Sequence, residues 1–257
     1  MSRLIFTVAV GKPIFGEMAA GLAGSLIRVG DTNRRAILTD LPGPWDGLYD
    51  EVIAPPGPRT ALDKLLALDL TGADQVLSID CDCLAFQKLD DVFEYCKGMP
   101  FAVQGDTHSE GSWHGADVRT ICARYGRESI PRFNGGLIYY ERTPAAQELI
   151  GAMRNVEANY ANQGFELFRG KASEEVCVLT AMLNRNEGIV IPDETDFMST
   201  AVGLVGKLHM DISEPECWFL CRRARLRFIR PYIFHASRYR KFLIYWRQID
   251  WLAKADK

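Results

Sequence analysis

The first third of the chain alternates short β-rich runs with stretches of helical periodicity, and this rhythm limits the fold more than any other feature. Residues 4–10 form a β-rich run. Residues 15–29 carry Met18, Leu22, Leu26 and Ile27 at helical spacing. Short strands are expected at 36–39 and 51–54, each stopped by a proline-containing stretch. Thr60 is expected to cap a helix over 61–69, and the next strand follows at 76–79. A β-α-β order of this kind predicts parallel strands with helices on both faces. The chain has 257 residues and no Pro/Gly/Ser-rich linker, so we expect one α/β domain over 1–257. The second half is less regular. Strands are expected at 101–104, at 136–140 and at 188–192. Helices are expected from Pro144 to about residue 160 and over 174–184 after Ser173.

Asp80-Cys81-Asp82 closes the apolar run Gln75-Val76-Leu77-Ser78-Ile79. Ligands of such sheets gather at the carboxyl ends of strands, and two carboxylates there form a small, hard anionic site. If the strand persists, its pleat puts Asp80 and Asp82 on one side and Cys81 on the other. Like charges raise each other's pKa, and a divalent cation relieves that cost while also holding phosphate oxygens. An acidic helix or turn cap is the plainer alternative. Two further segments carry polar chemistry. In Phe133-Asn134-Gly135-Gly136, the glycines before a strand allow close approach of a ligand, and Asn134 offers a donor and an acceptor to sugar hydroxyls. His235 can ligate a metal, and Arg238, Arg240 and Lys241 after it can neutralise phosphate. A simple turn and a structural histidine beside a solvated basic face are their alternatives.

Together, and in this order, the segments resemble glycosyltransferase family 8, the glycogenin-like and lipopolysaccharide-galactosyltransferase-like enzymes with the GT-A fold, which implies an α/β domain with a single Rossmann-like mixed sheet flanked by helices. The resemblance runs from about Leu4 to Lys241. Phe133-Asn134-Gly135-Gly136 is similar to the family's Phe-Asn-Ala-Gly, Glu174-Glu175 to its Asp-Gln helix start, and 235–241 to its His-x-x-Gly-x-x-Lys ending. The resemblance implies that Asp80, Asp82 and His235 hold a manganese ion, or magnesium in its place. It implies a UDP-linked sugar donor contacted by Lys64, Gly135, Gly136 and Lys241; the start of the chain lacks the family's acidic and tyrosine residues that read uracil, and Val10 and Phe15 are the candidates there, with Phe15 either stacking on the base or packing as core. Asn134, Glu174 and Glu175 are the implied catalytic residues, and transfer is expected with retention to a glycan or lipid-linked acceptor such as a bacterial surface polysaccharide.

The chain departs from the pattern at several places. Glu174-Glu175 replaces Asp-Gln, Gly135 replaces alanine, Arg238 replaces glycine and Phe242-Leu243 replaces Pro-Trp. A glutamate at 175 can act as a nucleophile or cation stabiliser, as a carboxylate does in retaining glycosidases; two acids in a first helical turn also simply favour the helix dipole. Two other functions remain open at this level, a sugar-phosphate nucleotidyltransferase and a non-catalytic relative that binds a glycan or partner.

The formal net charge of −3 argues against nucleic-acid binding. Charge is uneven, however. Residues 217–249 contain no Asp or Glu, and the 217–257 segment interleaves Arg and Lys with aromatics such as Phe228, Tyr232, Tyr245 and Trp251. Such a segment can lie on anionic lipid; a core-packed terminal helix is the alternative. Seven cysteines without framework spacing suggest reduced thiols, and no apolar run approaches the roughly 20 residues of a membrane span. We therefore expect a cytoplasmic protein, with a peripheral contact at the inner face of the membrane.

Overall fold

The structure is a computed structural model and describes residues 1–222, 226–237 and 243–255. The expected alternation opens it. Strand β1 (Arg3–Ala9) leads through helix α1 (Pro13–Arg28) to β2 (Arg34–Thr39) and then β3 (Glu51–Ile53). Helix α2 (Ala67–Thr71) precedes β4 (Gln75–Ile79), and β5 (Cys83–Ala85) and helix α3 (Asp90–Cys96) follow. Next come β6 (Phe101–His108), a small hairpin of β7 (Ser112–Trp113) and β8 (Ala116–Asp117), helix α4 (Val118–Tyr125) and the long strand β9 (Ile130–Glu141). Helices α5 (Pro144–Ala158) and α6 (Glu174–Arg185) lead to β10 (Ile189–Pro192). The chain then runs through β11 (Met198–Thr200), β12 (Leu204–Asp211), β13 (Glu216–Cys221), β14 (Arg227–Ile229), β15 (Ile233–His235) and helix α7 (Leu243–Ala255).

The main sheet has the order β10-β6-β9-β4-β1-β2-β3. Strands β4, β1, β2 and β3 are parallel neighbours, whereas β9 runs antiparallel to both β4 and β6. Alternate side chains enter opposite layers, as the pleat requires. Leu4, Phe6, Val76 and Ile138 pack under α5 and α6, and Ile5, Leu77 and Tyr139 pack under α1 and α3. Helices thus cover both faces, as expected. Two three-stranded sheets, β11-β15-β5 and β12-β13-β14, lie beside the main one, so the core is more than the one sheet expected from sequence.

Two boundaries differ from expectation for a visible reason. The stretch 61–69 is not one helix but a 3-10 turn, Asp63–Leu65, followed by the short α2. Donors from far along the chain take its carbonyls: the Tyr140 hydroxyl bonds Lys64 O at 2.6 Å, and the Arg142 guanidinium takes Leu68 O. A carbonyl taken from outside is in competition with the helix's own ladder. The strand expected at 136–140 extends back to Ile130, so Asn134, Gly135 and Gly136 lie inside β9 rather than before it. Its pairing with β6 shifts register between Val103 and Gly105. A Cβ on Gly105 would overlap the backbone of Arg132 and Phe133, so the irregularity depends on glycine.

The C-terminal segment is divided. Phe234 and Tyr245 are buried, while Phe228 and Leu226 are exposed. Helix α7 packs on α1, with Ile249 over Gly21 and Leu252 over Gly24. Among the described residues no helix is long and apolar enough to cross a membrane. All seven cysteines are free thiols.

Candidate metal and donor site

Strand β4 is fully buried and ends at Ile79, so the pleat does not carry on through the aspartates as supposed. A turn does the grouping instead: Cys83 N–H bonds Asp80 O at 3.1 Å. The chain then enters β5, which pairs antiparallel with β15 and places His235 opposite Cys83. Ala236 N–H bonds Asp82 O at 2.9 Å and fixes that register at the site. The outcome is that His235 Nε2 lies 3.1 Å from Asp82 Oδ1 and 3.6 Å from Asp80 Oδ2. One ligand atom from each of the three residues falls within 4.8 Å of the others.

This donor set fits a divalent cation. Cis ligands of a six-coordinate ion with bonds of about 2.1 Å are about 3 Å apart, close to the separations here. His235 is only 4% exposed, its Nε2 faces both carboxylates, and its Nδ1 is buried without a partner. Two carboxylates with one imidazole favour manganese-type ions over magnesium, which prefers oxygen alone. Burial works against a charged His235, but the hydrogen bond to Asp82 and the charges of Asp82 and Asp80 outweigh it and raise its pKa. Burial likewise opposes ionised Asp80, yet the Lys64 and His235 cations hold its carboxyl below the usual range. Cys81 is driven up by burial, then by Asp82 and Asp80, and stays a neutral thiol.

Lys64 stands behind this cluster. Its Nζ lies 2.6 Å from Asp80 Oδ1, 2.7 Å from Gly135 O and 2.9 Å from Glu174 Oε2. An ammonium has three donors, and all three are directed at protein acceptors. Burial disfavours its charge, but Asp80 and Glu174 hold Lys64 well above the ordinary lysine range. Glu174 is the loser in this sharing. Burial pushes its carboxyl up, Lys64 pulls it down, and the charges of Asp80 and Glu175 help push it to about 8. Its Oε1 is buried with no partner.

The glycines of β9 make room for these groups. A Cβ on Gly136 would stand 2.6 Å from His235 Nδ1, and one on Gly135 would stand 2.5 Å from Glu174 Oε1. Asp80 N–H bonds Gly136 O at 3.0 Å and joins the end of β4 to the same strand. Asn134 turns its Oδ1 back to Gly136 N–H at 2.8 Å, which leaves its amide nitrogen as the arm available to a ligand. Glu175, next along α6, accepts from Gly135 N–H through Oε1 at 3.1 Å.

The other expected contacts are more peripheral. Val10 is buried just past β1, and its carbonyl accepts from Arg59 Nη1 at 3.4 Å. Phe15 packs between the Trp45–Tyr49 cluster and the core beneath the second sheet. Lys241, with Arg238 and Arg240, lies outside the described residues.

Two residues not singled out from sequence join the site. His114, on the β7–β8 hairpin, places Nε2 2.7 Å from Glu175 Oε2. Arg59 overhangs the end of β1 from the proline-rich loop. The only sequence signal for His114 was a polar, histidine-containing loop, and nothing local linked it to residue 175.

No protein-family model matches the chain, and a sequence search of curated proteins finds no match. Solved structures do match. The apo form of the glycosyltransferase GlyE from Streptococcus pneumoniae TIGR4 superposes with a TM-score of 0.53 at 16% identity, over 77% of this chain and 46% of that one. A second structure of GlyE gives 0.50 at 18% identity, over 77% and 47%. The chain shares the α/β fold of these two glycosyltransferase structures. The chain spans less than half the length of the GlyE structures it matches. Within this fold the Asp80–Asp82–His235 cluster lies at the carboxyl end of a central strand, the usual place for a ligand of an α/β sheet.

Proposed function

We propose that the protein is a metal-dependent glycosyltransferase of the family 8 type, moving a sugar from a UDP-sugar to a glycan or lipid-linked acceptor with retention. The observation that carries this reading is the Asp80–Asp82–His235 cluster at the end of β4. Asp80, Asp82 and His235 would hold a manganese ion, and the chemistry it supplies is neutralisation of the charge that grows on the leaving diphosphate. Lys64 keeps Asp80 ionised and in place. Gly135 and Gly136 leave room for the Glu174 carboxyl and the His235 ring beside the donor, and the Asn134 amide orients its hydroxyls.

Of the two glutamates, Glu175 is the better candidate to stabilise positive charge at the anomeric carbon. Glu174 is committed to Lys64 and is neutralised readily, with its carboxyl at about 8. Glu175 instead turns one oxygen to Gly135 N–H and the other to His114 Nε2. The exposed Phe228 and Leu226, with Arg222 and Arg230 nearby in sequence, support a peripheral contact with the membrane that carries a lipid-linked acceptor.

Calorimetric titration of a nucleoside diphosphate panel, with and without manganese, tests the reading on wild type and Asp82→Ala. Manganese-dependent binding of UDP that is lost in the variant is expected. Metal-independent binding, or none, would overturn the assignment.

A further inference from the structure

Glu175 is held from two directions, and one of them comes from an element to which no role has been given. Gly135 N–H fixes Oε1 from β9 at 3.1 Å, and His114 Nε2 reaches Oε2 from the β7–β8 hairpin at 2.7 Å. The contact spans 61 residues of sequence. It is not an incidental surface pair, since the His114 side chain is only 17% exposed and that of Glu175 24%.

The hairpin is shaped around this contact. His114 has φ of +48°, a conformation that costs a side-chain-bearing residue energy and persists only where the surroundings over-determine it. Trp113 stands edge-on to the imidazole with ring centroids 4.4 Å apart, and is itself backed by Phe133 and Phe165. Gly115, at φ +78°, has no room for a side chain because Glu166 presses on it, and Glu166 N–H bonds His114 O at 3.3 Å. The ring is therefore clamped on one side by an aromatic wedge while its backbone is held on the other. A carboxylate in a first helical turn ordinarily turns back to the free N–H groups of its own helix. Glu175 instead points out to β9 and the hairpin.

We propose that His114 is a positioning residue for Glu175, holding its carboxylate in the orientation required at the anomeric carbon; the inference rests on the glycosyltransferase reading above. A carboxylate that stabilises a developing cation is sensitive to small displacements, so losing one of two restraints should slow the chemical step more than it weakens donor binding. A purely structural staple between hairpin and helix would behave differently. It would lower stability and raise KM, and any hydrogen-bonding replacement would matter little to kcat.

The test uses wild type, His114→Ala, His114→Gln, Glu175→Ala and the double variant His114→Ala/Glu175→Ala. Binding of UDP with manganese is measured by calorimetry, and turnover by release of UDP from UDP-glucose and UDP-galactose. The proposal expects UDP affinity within about twofold of wild type throughout, and kcat lowered about tenfold or more in His114→Ala. An amide at 114 can still donate to Oε2, so His114→Gln should recover to within about threefold, and His114→Ala should add nothing once Glu175 is gone. A slowly exchanging Nε2–H signal of His114 by ¹⁵N NMR, lost in Glu175→Ala, should report the contact independently of activity. A kcat for His114→Ala within about twofold of wild type, a full additive loss in the double variant, or an Nε2–H signal indifferent to Glu175→Ala overturns the positioning role alone. Failure of the wild type to bind UDP with manganese, or binding without release from either sugar nucleotide, overturns the glycosyltransferase reading and the inference with it.

Discussion

Gly135 leaves the space that Glu174 fills: a Cβ at 135 would stand 2.5 Å from Glu174 Oε1. The resemblance drawn from sequence has alanine at the first position and aspartate at the second, so the two departures of this chain fit together. Gly135→Ala should destabilise the protein by about 1–3 kcal/mol, the usual cost of overpacking, because Glu174 is pinned by Lys64 and cannot swing aside freely. Shortening the acid in Gly135→Ala/Glu174→Asp should recover most of that loss. Urea denaturation measures both, and Gly135→Ala with wild-type stability would show that the Glu174 carboxylate is not confined.

Glu174 also sets a pH dependence. Its folded carboxyl is raised to about 8, against an ordinary value of 4.5, by burial and by Asp80 and Glu175 against Lys64. The folded state therefore binds a proton that the unfolded state releases, and stability falls as pH rises from about 4.5 to about 8. The span is on the order of a few kcal/mol for so large a shift in a largely buried group. Glu174→Gln should flatten this decline. Thermal melts at about pH 5 and pH 8.5 compare the slopes, and an unchanged slope in the variant would place the titration elsewhere.

What could be read from sequence, and what could not, follows from how far each interaction reaches. The β-α-β rhythm, the buried run before Asp80 and the acidic start of α6 are written in local periodicity and turn chemistry, and these elements stand within a few residues of where they were expected. Asp80, Asp82 and His235 were grouped by resemblance, and the β5–β15 pairing is the physical cause that brings them together. The break of 61–69 was not legible, because the Tyr140 hydroxyl that takes Lys64 O lies 76 residues away. Nor was the place of Asn134–Gly136 inside β9, since a run with two glycines looks like a turn unless its partner strand is known. His114 was missed for the same reason: a histidine in a polar loop carries no mark of the glutamate it will meet.

The metal site should compete with protons. His235 must be neutral to ligate, and its pKa is raised because Asp82 and Asp80 outweigh burial. In the metal-free protein that raised value adds stability below about 6.5, which fades as pH climbs through the folded value. Manganese gains affinity over the same interval. The increase in Tm produced by manganese should therefore grow between about pH 6 and pH 8.5, and vanish at every pH in Asp82→Ala. A manganese effect independent of pH would exclude His235 as a ligand.

Lys64 is expected to matter first for folding and only then for the donor. Its three hydrogen bonds go to Asp80 Oδ1, Gly135 O and Glu174 Oε2. Above about pH 8, where Glu174 is ionised in the folded protein, Lys64→Met strands all three acceptors, two of them carboxylates, and breaking a buried pair from one side typically costs about 3–5 kcal/mol. The loss should not be additive with a change at Glu174. In Lys64→Met/Glu174→Gln one stranded acid has become a neutral amide able to donate, so the double variant should be more stable than Lys64→Met alone. Chemical denaturation of the four proteins closes the cycle. Simple additivity would mean that Glu174 draws no support from Lys64, and that the 2.9 Å contact between them contributes nothing to the folded state.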